Sequence, residues 1–301
     1  PAGLTINATS GDINVTTSTP GTYTVTYTMA ATGGCPVQTA TTSVTINAPS
    51  VAPTGATATQ TSLCGPGSVT LSVTGGTLGS GTWRWYSGSC GGTLVGTGAT
   101  LNVTVNSTTT YFVRAEGPCN TTACASVTVT VNTVPTVSIV TSATTIKPGQ
   151  PAILTATVSP SGTPVQWYKG AVAVPGVTGT TLTAGVTDYG TYTARATTGA
   201  GCTALSNAVT ITAEATSTVF VYPNPSAGRF QVRVYNAPGK LLYVQVYNSF
   251  KQRVYQQKHP TSAPYTRMDV DLRNAASGNY VVKVVDSDGT VIGADHLIIV
   301  R

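Results

Sequence analysis

The chain has 301 residues and a formal net charge of +6, and only 8% of its residues are charged. This length exceeds what one compact domain usually needs, so two to four domains are expected. Abundant β-branched residues favour strands over helices, so the fold is predicted to be all-β. No apolar run could span a membrane as a helix. The basic residues form no stripe with groove-reading motifs, so no nucleic-acid partner is predicted.

Residues 1–48 are predicted to form four short strands near residues 4–6, 12–15, 21–27 and 40–46. Four strands make a poor sandwich, because a domain needs two covered sheets. The Pro-Ala-Gly-Leu-x-Ile and Pro-Gly-Thr-Tyr-x-Val-x-Tyr motifs of this segment resemble the later half of Ig-like repeats in large Bacteroidota surface proteins. We therefore expect residues 1–48 to be part of an Ig-like domain that begins before Pro1, and the lack of a signal peptide agrees with this.

Cys35 is a single cysteine in this first segment. In the similar repeats a partner lies upstream, so a half-cystine with an upstream partner is expected. A free thiol buried as a small apolar residue is the alternative.

Residues 51–132 have the pattern of a complete Ig-like sandwich, after a stiff Pro-containing linker. Cys64 is predicted to begin strand B, Trp83-Arg84-Trp85-Tyr86 is predicted to form strand C, and residues 110–115 and 125–131 strands F and G. Trp83 and Trp85 point to one face of their strand. Trp85 is predicted to lie in the core, whereas Trp83 could belong to the core or to a sugar-binding platform.

Four cysteines in this domain allow three pairings. In such a sandwich the start of strand B and the end of strand C share one end, and the F–G hairpin lies at the other. We therefore predict disulfides Cys64–Cys90 and Cys119–Cys124. A metal site is not predicted, because the pairs should lie at opposite poles and no histidine accompanies them. Disulfides also suit an exported protein.

Residues 134–214 repeat the pattern. Trp167 occupies the place of Trp85, and this internal repeat has the period of an Ig-like module. The run Asp188-Tyr189-Gly190-Thr191-Tyr192 resembles the tyrosine corner of Ig-like sandwiches, in which the hydroxyl of Tyr192 would bond back to the backbone. Cys202, in the F–G region, is expected to be a free thiol, with an intermolecular disulfide as the alternative.

Residues 216–301 are predicted to form about seven strands in another antiparallel sandwich. This segment has a Tyr-Pro-Asn-Pro start at residues 222–225, then a Gly-x-Phe motif at 228–230, a Gly-x-Tyr motif at 278–280 and a basic terminus. Together these motifs resemble the type A C-terminal sorting domain of cargo of the Bacteroidota type IX secretion system. One departure is His296, where the family more often has Lys. The residues that carry this sorting motif are Tyr222, Pro223, Asn224, Pro225, Gly228, Phe230, Gly278, Tyr280, Ile298, Ile299, Val300 and Arg301.

The resemblance implies an address for export. Its reader would be the type IX outer-membrane translocon and sorting machinery, and the protein would be secreted or held at the outer-membrane surface. In the family this domain is often removed after export. The sequence is compatible with a mature protein that has lost the domain and with one that retains it.

No catalytic residues, cofactor or metal are predicted. Both histidines, His259 and His296, lie in the terminal segment, so no Ser-His-Asp or Cys-His set can form within residues 1–214. The acidic residues of that part lie in different segments. Asp286 and Asp288 are better explained by a tight turn than by a Ca²⁺ loop.

These observations predict a non-catalytic surface adhesin, stalk or fibre. The alternative is the non-catalytic tail of a large secreted enzyme whose catalytic domain lies upstream, and the upstream sequence would distinguish them. Partners could be a surface polysaccharide or other cells. Self-association is a further hypothesis, because an open-edged first segment could accept a strand from another chain.

Overall fold

The computed structural model describes residues 2–301 and divides into two compact units, one ending at Thr133 and the other beginning at Val134. Twenty-six strands make up its regular structure, and none of the described residues is helical. The all-β prediction is therefore confirmed. Within residues 2–301 no helix is available that could cross a membrane.

The first segment contains a single antiparallel hairpin of β1 (Gly21–Met29) and β2 (Gln38–Ile46). The two strands predicted before it do not form, and one isolated bridge joins Ile6 to Ile13. The Asn7 side-chain oxygen accepts hydrogen bonds from the Thr9 and Ser10 amides at 2.9 and 3.2 Å. Such local bonds take up backbone donors that a strand ladder would need.

The second sandwich packs a five-stranded sheet on a three-stranded one, in the orders β4-β10-β9-β6-β7 and β3-β5-β8. Trp83 and Trp85 are both buried in its core, so the platform interpretation of Trp83 is wrong. The strands are β3 (Gly55–Ala58), β4 (Ser62–Cys64), β5 (Gly67–Thr74), β6 (Thr82–Ser87), β7 (Thr93–Thr97), β8 (Thr100–Val105), β9 (Thr109–Glu116) and β10 (Ala125–Asn132).

The third sandwich repeats this architecture. A three-stranded sheet, β11-β13-β16, faces the sheet β12-β19-β17-β14-β15, to which β18 adds beside β17. Trp167 is fully buried between them. The strands are β11 (Thr136–Thr141), β12 (Thr145–Ile146), β13 (Ala152–Ser159), β14 (Val165–Lys169), β15 (Val172–Ala173), β16 (Thr181–Ala184), β17 (Gly190–Thr197), β18 (Thr203–Leu205) and β19 (Val209–Ala213).

The terminal segment forms seven strands in two antiparallel sheets, ordered β20-β21-β24 and β23-β22-β25-β26. Alternate side chains of both sheets meet in one apolar core, as expected when one face of each sheet is covered. The strands are β20 (Phe220–Tyr222), β21 (Arg229–Arg233), β22 (Leu241–Tyr247), β23 (Arg253–Pro260), β24 (Met268–Asp271), β25 (Gly278–Val285) and β26 (Val291–Ile299).

One strand pairing recurs in all four segments, between the last two long strands of each. A tyrosine two residues after a Gly or Thr lies opposite an aliphatic residue: Tyr23 opposite Val44, Tyr111 opposite Val127, Tyr192 opposite Val209 and Tyr280 opposite Leu297. In three of them the hydroxyl donates to the carbonyl four residues earlier, at Thr19, Asp188 and Ala276. The bond of Tyr192 is the one predicted for a tyrosine corner.

The predicted disulfide pairing is wrong. Cys90 is bonded to Cys124, with 6.0 Å between their Cα atoms, which excludes both Cys64–Cys90 and Cys119–Cys124. Cys64 does not begin strand B. It ends β4 opposite Asn132, and an eight-residue strand separates that position from Cys124 by about 25 Å.

Cys90 reaches Cys124 because the turn between β6 and β7 lies over the outer face of the sheet. The guanidinium of Arg114 is 3.8 Å from the Cys90 sulfur. Strand β10 begins beside this arginine, since Ala125 is opposite Val113. Cys124 is thus level with the middle of β9 and not at the tip of a hairpin.

Cys119 and Cys202 also differ from expectation, and Cys35 is exposed. In the described part of the chain Cys35 and Cys119 are free and exposed, so the alternative of a buried thiol at Cys35 is wrong. Cys202, expected to be a free thiol, is fully buried and is not one of the free cysteines.

Candidate functional site: where the two ends of the terminal segment meet

The sorting motif begins where strand β20 ends. Pro223 and Pro225 follow it, and neither has an N–H group to donate to a strand ladder. Asn224 lies exposed between the two prolines. The backbone therefore stops pairing at this point, and a side-chain amide becomes the group that faces the neighbouring strand.

Asn224 joins the start of the motif to its end. Its Nδ2 donates a hydrogen bond to the carbonyl of His296 at 2.7 Å, and its Oδ1 accepts one from the amide of Ile298 at 3.0 Å. Ser226 continues this pairing along β26: its amide donates to the carbonyl of Ile298 at 2.8 Å, and its carbonyl accepts from the amide of Val300 at 2.9 Å. Two stretches more than seventy residues apart thus form one continuous edge.

The departure at His296 is explained by this geometry. The bond to Asn224 uses the backbone carbonyl of His296, while its side chain is exposed. A histidine or a lysine at this position offers the same carbonyl, so the replacement leaves the contact unchanged.

Gly228 allows the chain to turn into β21. Its φ is +95°, and an added Cβ would lie 2.8 Å from the Cα of Arg273 and 2.9 Å from the carbonyl oxygen of Leu272. Only glycine fits both the backbone conformation and the space. Phe230, two residues later, is buried in the core.

The last strands complete the motif. Gly278, with a φ of +155°, begins β25 opposite Ile299. Tyr280 is buried, and its hydroxyl donates to the carbonyl of Ala276 at 2.8 Å. These contacts fix the loop before β25 against the core.

The C-terminal residues alternate between the core and the surface. Leu297 and Ile299 are buried, whereas Ile298 and Val300 are exposed by 43% and 52%. Arg301 is exposed and its guanidinium donates to the carbonyl of Arg273. The edge therefore presents two aliphatic side chains and a basic end to its surroundings, while its backbone is held by Asn224.

Ion pairs hold the exposed side of the neighbouring sheet. Asp271 lies 2.9 Å from an Nη atom of Arg273 and 3.3 Å from Nε of Arg229. The hydrogen bonds from Arg273, followed by that from Arg229, hold the pKa of Asp271 well below its usual range. The carboxylate is therefore charged at any physiological pH, and its ion pairs link Arg229 to Arg273 on the surface of the domain.

An asparagine side chain also bonds to a backbone segment in each complete Ig-like sandwich, and sequence reasoning missed this device. Asn120 donates to and accepts from the backbone of Ser50, with both distances 2.9 Å. Asn207 does the same with Ile139, again at 2.9 Å. Both asparagines lie between the last two long strands of their sandwich, so their matching position in the repeat was the available signal.

Metal sites require particular groupings of histidine, cysteine or acidic side chains. Within residues 2–301 no group of three or more His, Cys, Asp or Glu side chains is arranged to hold a metal ion. The candidate site consists of strand edges and the hydrogen bonds between them.

Two family models match parts of this chain. Residues 220–299 match the family described as a secretion system C-terminal sorting domain, and residues 49–132 match an Ig-like domain described as CHU_C associated. The chain therefore carries a type IX sorting domain behind an Ig-like region, and it is a cargo protein of that system. Its sorting domain indicates export, either to the cell surface or into the medium.

Several solved structures show low-level similarity to the chain. Titin domains I67–I69 share 15% identity, with 82% of this chain and 97% of that chain covered and a TM-score of 0.33. Murine CEACAM1b shares 18%, with 53% and 99% covered and a TM-score of 0.34. Three domains of the bacteriophage RB49 Hoc protein share 12%, with 83% and 100% covered and a TM-score of 0.30. No curated protein matches the chain.

Proposed function

We propose that this protein is a non-catalytic modular stalk or adhesin of the cell surface, delivered there by its sorting domain. The observation that carries the proposal is the hairpin pairing that recurs in all four segments, with a tyrosine opposite an aliphatic residue each time. Repetition of one module is the way in which extended arrays are built. We propose domain boundaries at residues 1–48, 51–132, 134–214 and 216–301.

The outer faces of the repeated hairpins support a structural role. Threonine hydroxyls pair across the strands at the same place in three of them, and such cross-strand pairs stabilise a sheet. The pairs are Thr22 with Thr45 at 3.2 Å, Thr110 with Thr128 at 2.8 Å and Thr191 with Thr210 at 2.9 Å.

The large aromatic side chains support the same role. Trp83, Trp85 and Trp167 are at most 5% exposed, so they stabilise cores and do not form a ligand platform. The matched families are also non-catalytic kinds of modules. A partner such as a surface polysaccharide or another cell would then be met by strand faces and loops.

The test is a deletion in the native gene that removes residues 49–214 and retains the sorting domain. The proposal predicts weaker attachment of the cells to surfaces or to each other, with unchanged amounts of the shortened protein outside the cell. Unchanged attachment together with loss of a secreted enzymatic activity would favour the tail of an enzyme instead.

A further inference from the structure

A cleft of about 440 Å³ opens in the sorting domain, between the sheet that contains β21 and β24 and the edge strand β23 of the other sheet. Tyr222 and Tyr255 lie on its two sides, and both are only partly buried. Its volume falls within the range of small-ligand sites, which are concave and hold a few fixed polar groups. No part of the Asn224 contact uses this cleft.

An unsatisfied acceptor lines this cleft. The Oε1 atom of Gln231 is buried and has no hydrogen-bond partner. Gln231 lies in the middle of β21, between Tyr222 on one neighbouring strand and Asp269 on the other. A buried acceptor without a donor destabilises the fold, because its lost hydration is not replaced by a hydrogen bond. A ligand that donates a hydrogen bond would remove that destabilisation.

The charges around the cleft are balanced. Arg229 pairs with Asp271 at 3.3 Å, and Arg267 pairs with Asp269 at 2.7 Å. Two cations and two anions leave no net charge to attract an ion, yet they supply both donors and acceptors along the rim. This balance favours an uncharged polar ligand over a phosphate or a metal ion.

A further pair of side chains adds a donor. The hydroxyl of Tyr255 donates to Oε1 of Gln257, which leaves the amide hydrogens of Gln257 as donors at the edge of the cleft. The Tyr255 ring beside it offers an apolar face to a ligand. Aromatic rings of this kind combine apolar area with a polar tip.

We propose that this cleft binds a neutral saccharide. A sugar has hydroxyl groups that donate to Gln231 and accept from Gln257, and it has C–H faces that pack on Tyr222 and Tyr255. The sorting domain would then contact surface glycan directly, in addition to serving as an export address.

The experiment is a titration of the isotope-labelled 301-residue protein followed by NMR. The probes are cellotetraose, mannotetraose, galactotetraose and chitotetraose, each up to about 10 mM, a range that detects dissociation constants in the millimolar range. We expect at least one probe to shift the side-chain amide signals of Gln231 and Gln257 and to saturate. L-arginine and sulfate serve as charged comparison probes.

Variants make the test specific. Gln231→Leu removes the acceptor and is expected to weaken binding at least tenfold, about 1.4 kcal/mol. Its fold should be retained, because the lost acceptor had no partner. Gln256→Leu, next to Gln257 on strand β23 but outside the cleft lining, is the matched control and should bind like the parent. Saturating shifts by L-arginine or sulfate, no shift with any tetrasaccharide, or unchanged binding by Gln231→Leu would each overturn the proposal.

Discussion

The side-chain oxygen of Asn224 accepts a hydrogen bond from the amide of Ile298 at 3.0 Å, across 74 positions of sequence. Together with its donation to the carbonyl of His296, this asparagine takes the place that a neighbouring strand would have along β26. An uncovered strand edge invites pairing with other chains. Asn224 therefore both closes the sorting domain and protects the edge next to its exposed end.

Replacing Asn224 with alanine should destabilise the end of β26. Two hydrogen bonds are lost, and we expect the free energy of opening for amides near the end of β26 to fall by about 1–2 kcal/mol. Native-state amide hydrogen exchange of β25 and β26 is the appropriate measurement, because all three tryptophans of the chain lie outside the sorting domain. The control is Asn274→Ala at an exposed loop position. Equal exchange rates in both variants would contradict the role given to Asn224.

Removing the hydroxyl of Tyr280 should loosen the loop before β25. Tyr280→Phe loses the bond to the carbonyl of Ala276 at 2.8 Å and keeps the buried ring, so a loss of about 1 kcal/mol is expected. Tyr243→Phe on strand β22 is the comparison, with a change within about 0.5 kcal/mol. If the two variants unfold at the same urea concentration, the corner bond has no energetic importance.

The disulfide pairing can be read directly. Peptide mapping of the unreduced protein should recover Cys90 linked to Cys124, and iodoacetamide should label Cys35 and Cys119 without reduction. Because the bond closes a loop with a separation of 34 residues, Cys124→Ser should destabilise its sandwich by about 3–4 kcal/mol. A peptide in which Cys119 is linked to Cys124 would refute the structure at this point.

Gly228→Ala should be poorly tolerated. Its φ of +95° and the close approach of Arg273 and Leu272 leave no room for a Cβ, and strain of this kind costs about 1–3 kcal/mol. Gly239→Ala is a useful comparison, because Gly239 also has a positive φ but no atom near the added Cβ. A larger loss of stability at position 228, measured by hydrogen exchange in β21, is the expected result.

Alkaline pH should destabilise the second unit. Tyr265 is fully buried, and its hydroxyl donates to the carbonyl of Glu214 at 2.7 Å. Burial, followed by the nearby charge of Glu214, raises the pKa of Tyr265 to about 12, whereas an unfolded tyrosine titrates near pH 10. Tyr265 therefore stays protonated to a higher pH in the folded state than in the unfolded state. The stability that this difference contributes is present below about pH 10 and is lost as the pH rises towards 12.

The measurement is the midpoint of urea unfolding from about pH 9 to pH 12, in the parent protein and in Tyr265→Phe. The variant lacks the titrating hydroxyl and should lose less stability over that interval. Parallel pH profiles of the two proteins would show that Tyr265 does not contribute to the alkaline transition.

Much of the fold could be predicted from local patterns. In β21 the polar residues Arg229 and Gln231 alternate with buried Phe230 and Val232, and such alternation identifies both the strand and its inner face. The equivalence of Trp85 and Trp167 likewise follows from position within a repeat. These features depend on neighbours in sequence, and that is why the sequence reveals them.

Contacts between distant residues were harder to predict. The pairing of Cys90 depends on how one turn lies over Arg114, and the pattern of strands alone does not specify that. Strands around Ile6 and Ile13 were predicted because side chains alternate there, yet asparagine side chains take up the backbone donors instead. The contacts of Asn224 and the unsatisfied oxygen of Gln231 likewise depend on tertiary placement.

Residues 220–299 are expected to direct the export of this protein. The most direct test compares, in the native cells, the full-length gene with one that lacks those residues, using an antibody to the Ig-like region on intact cells. We expect the full-length protein to be labelled at the cell surface or recovered from the medium, and the shortened protein to stay within the cell envelope, behind the outer membrane. Equal appearance of both proteins outside the cell would contradict it.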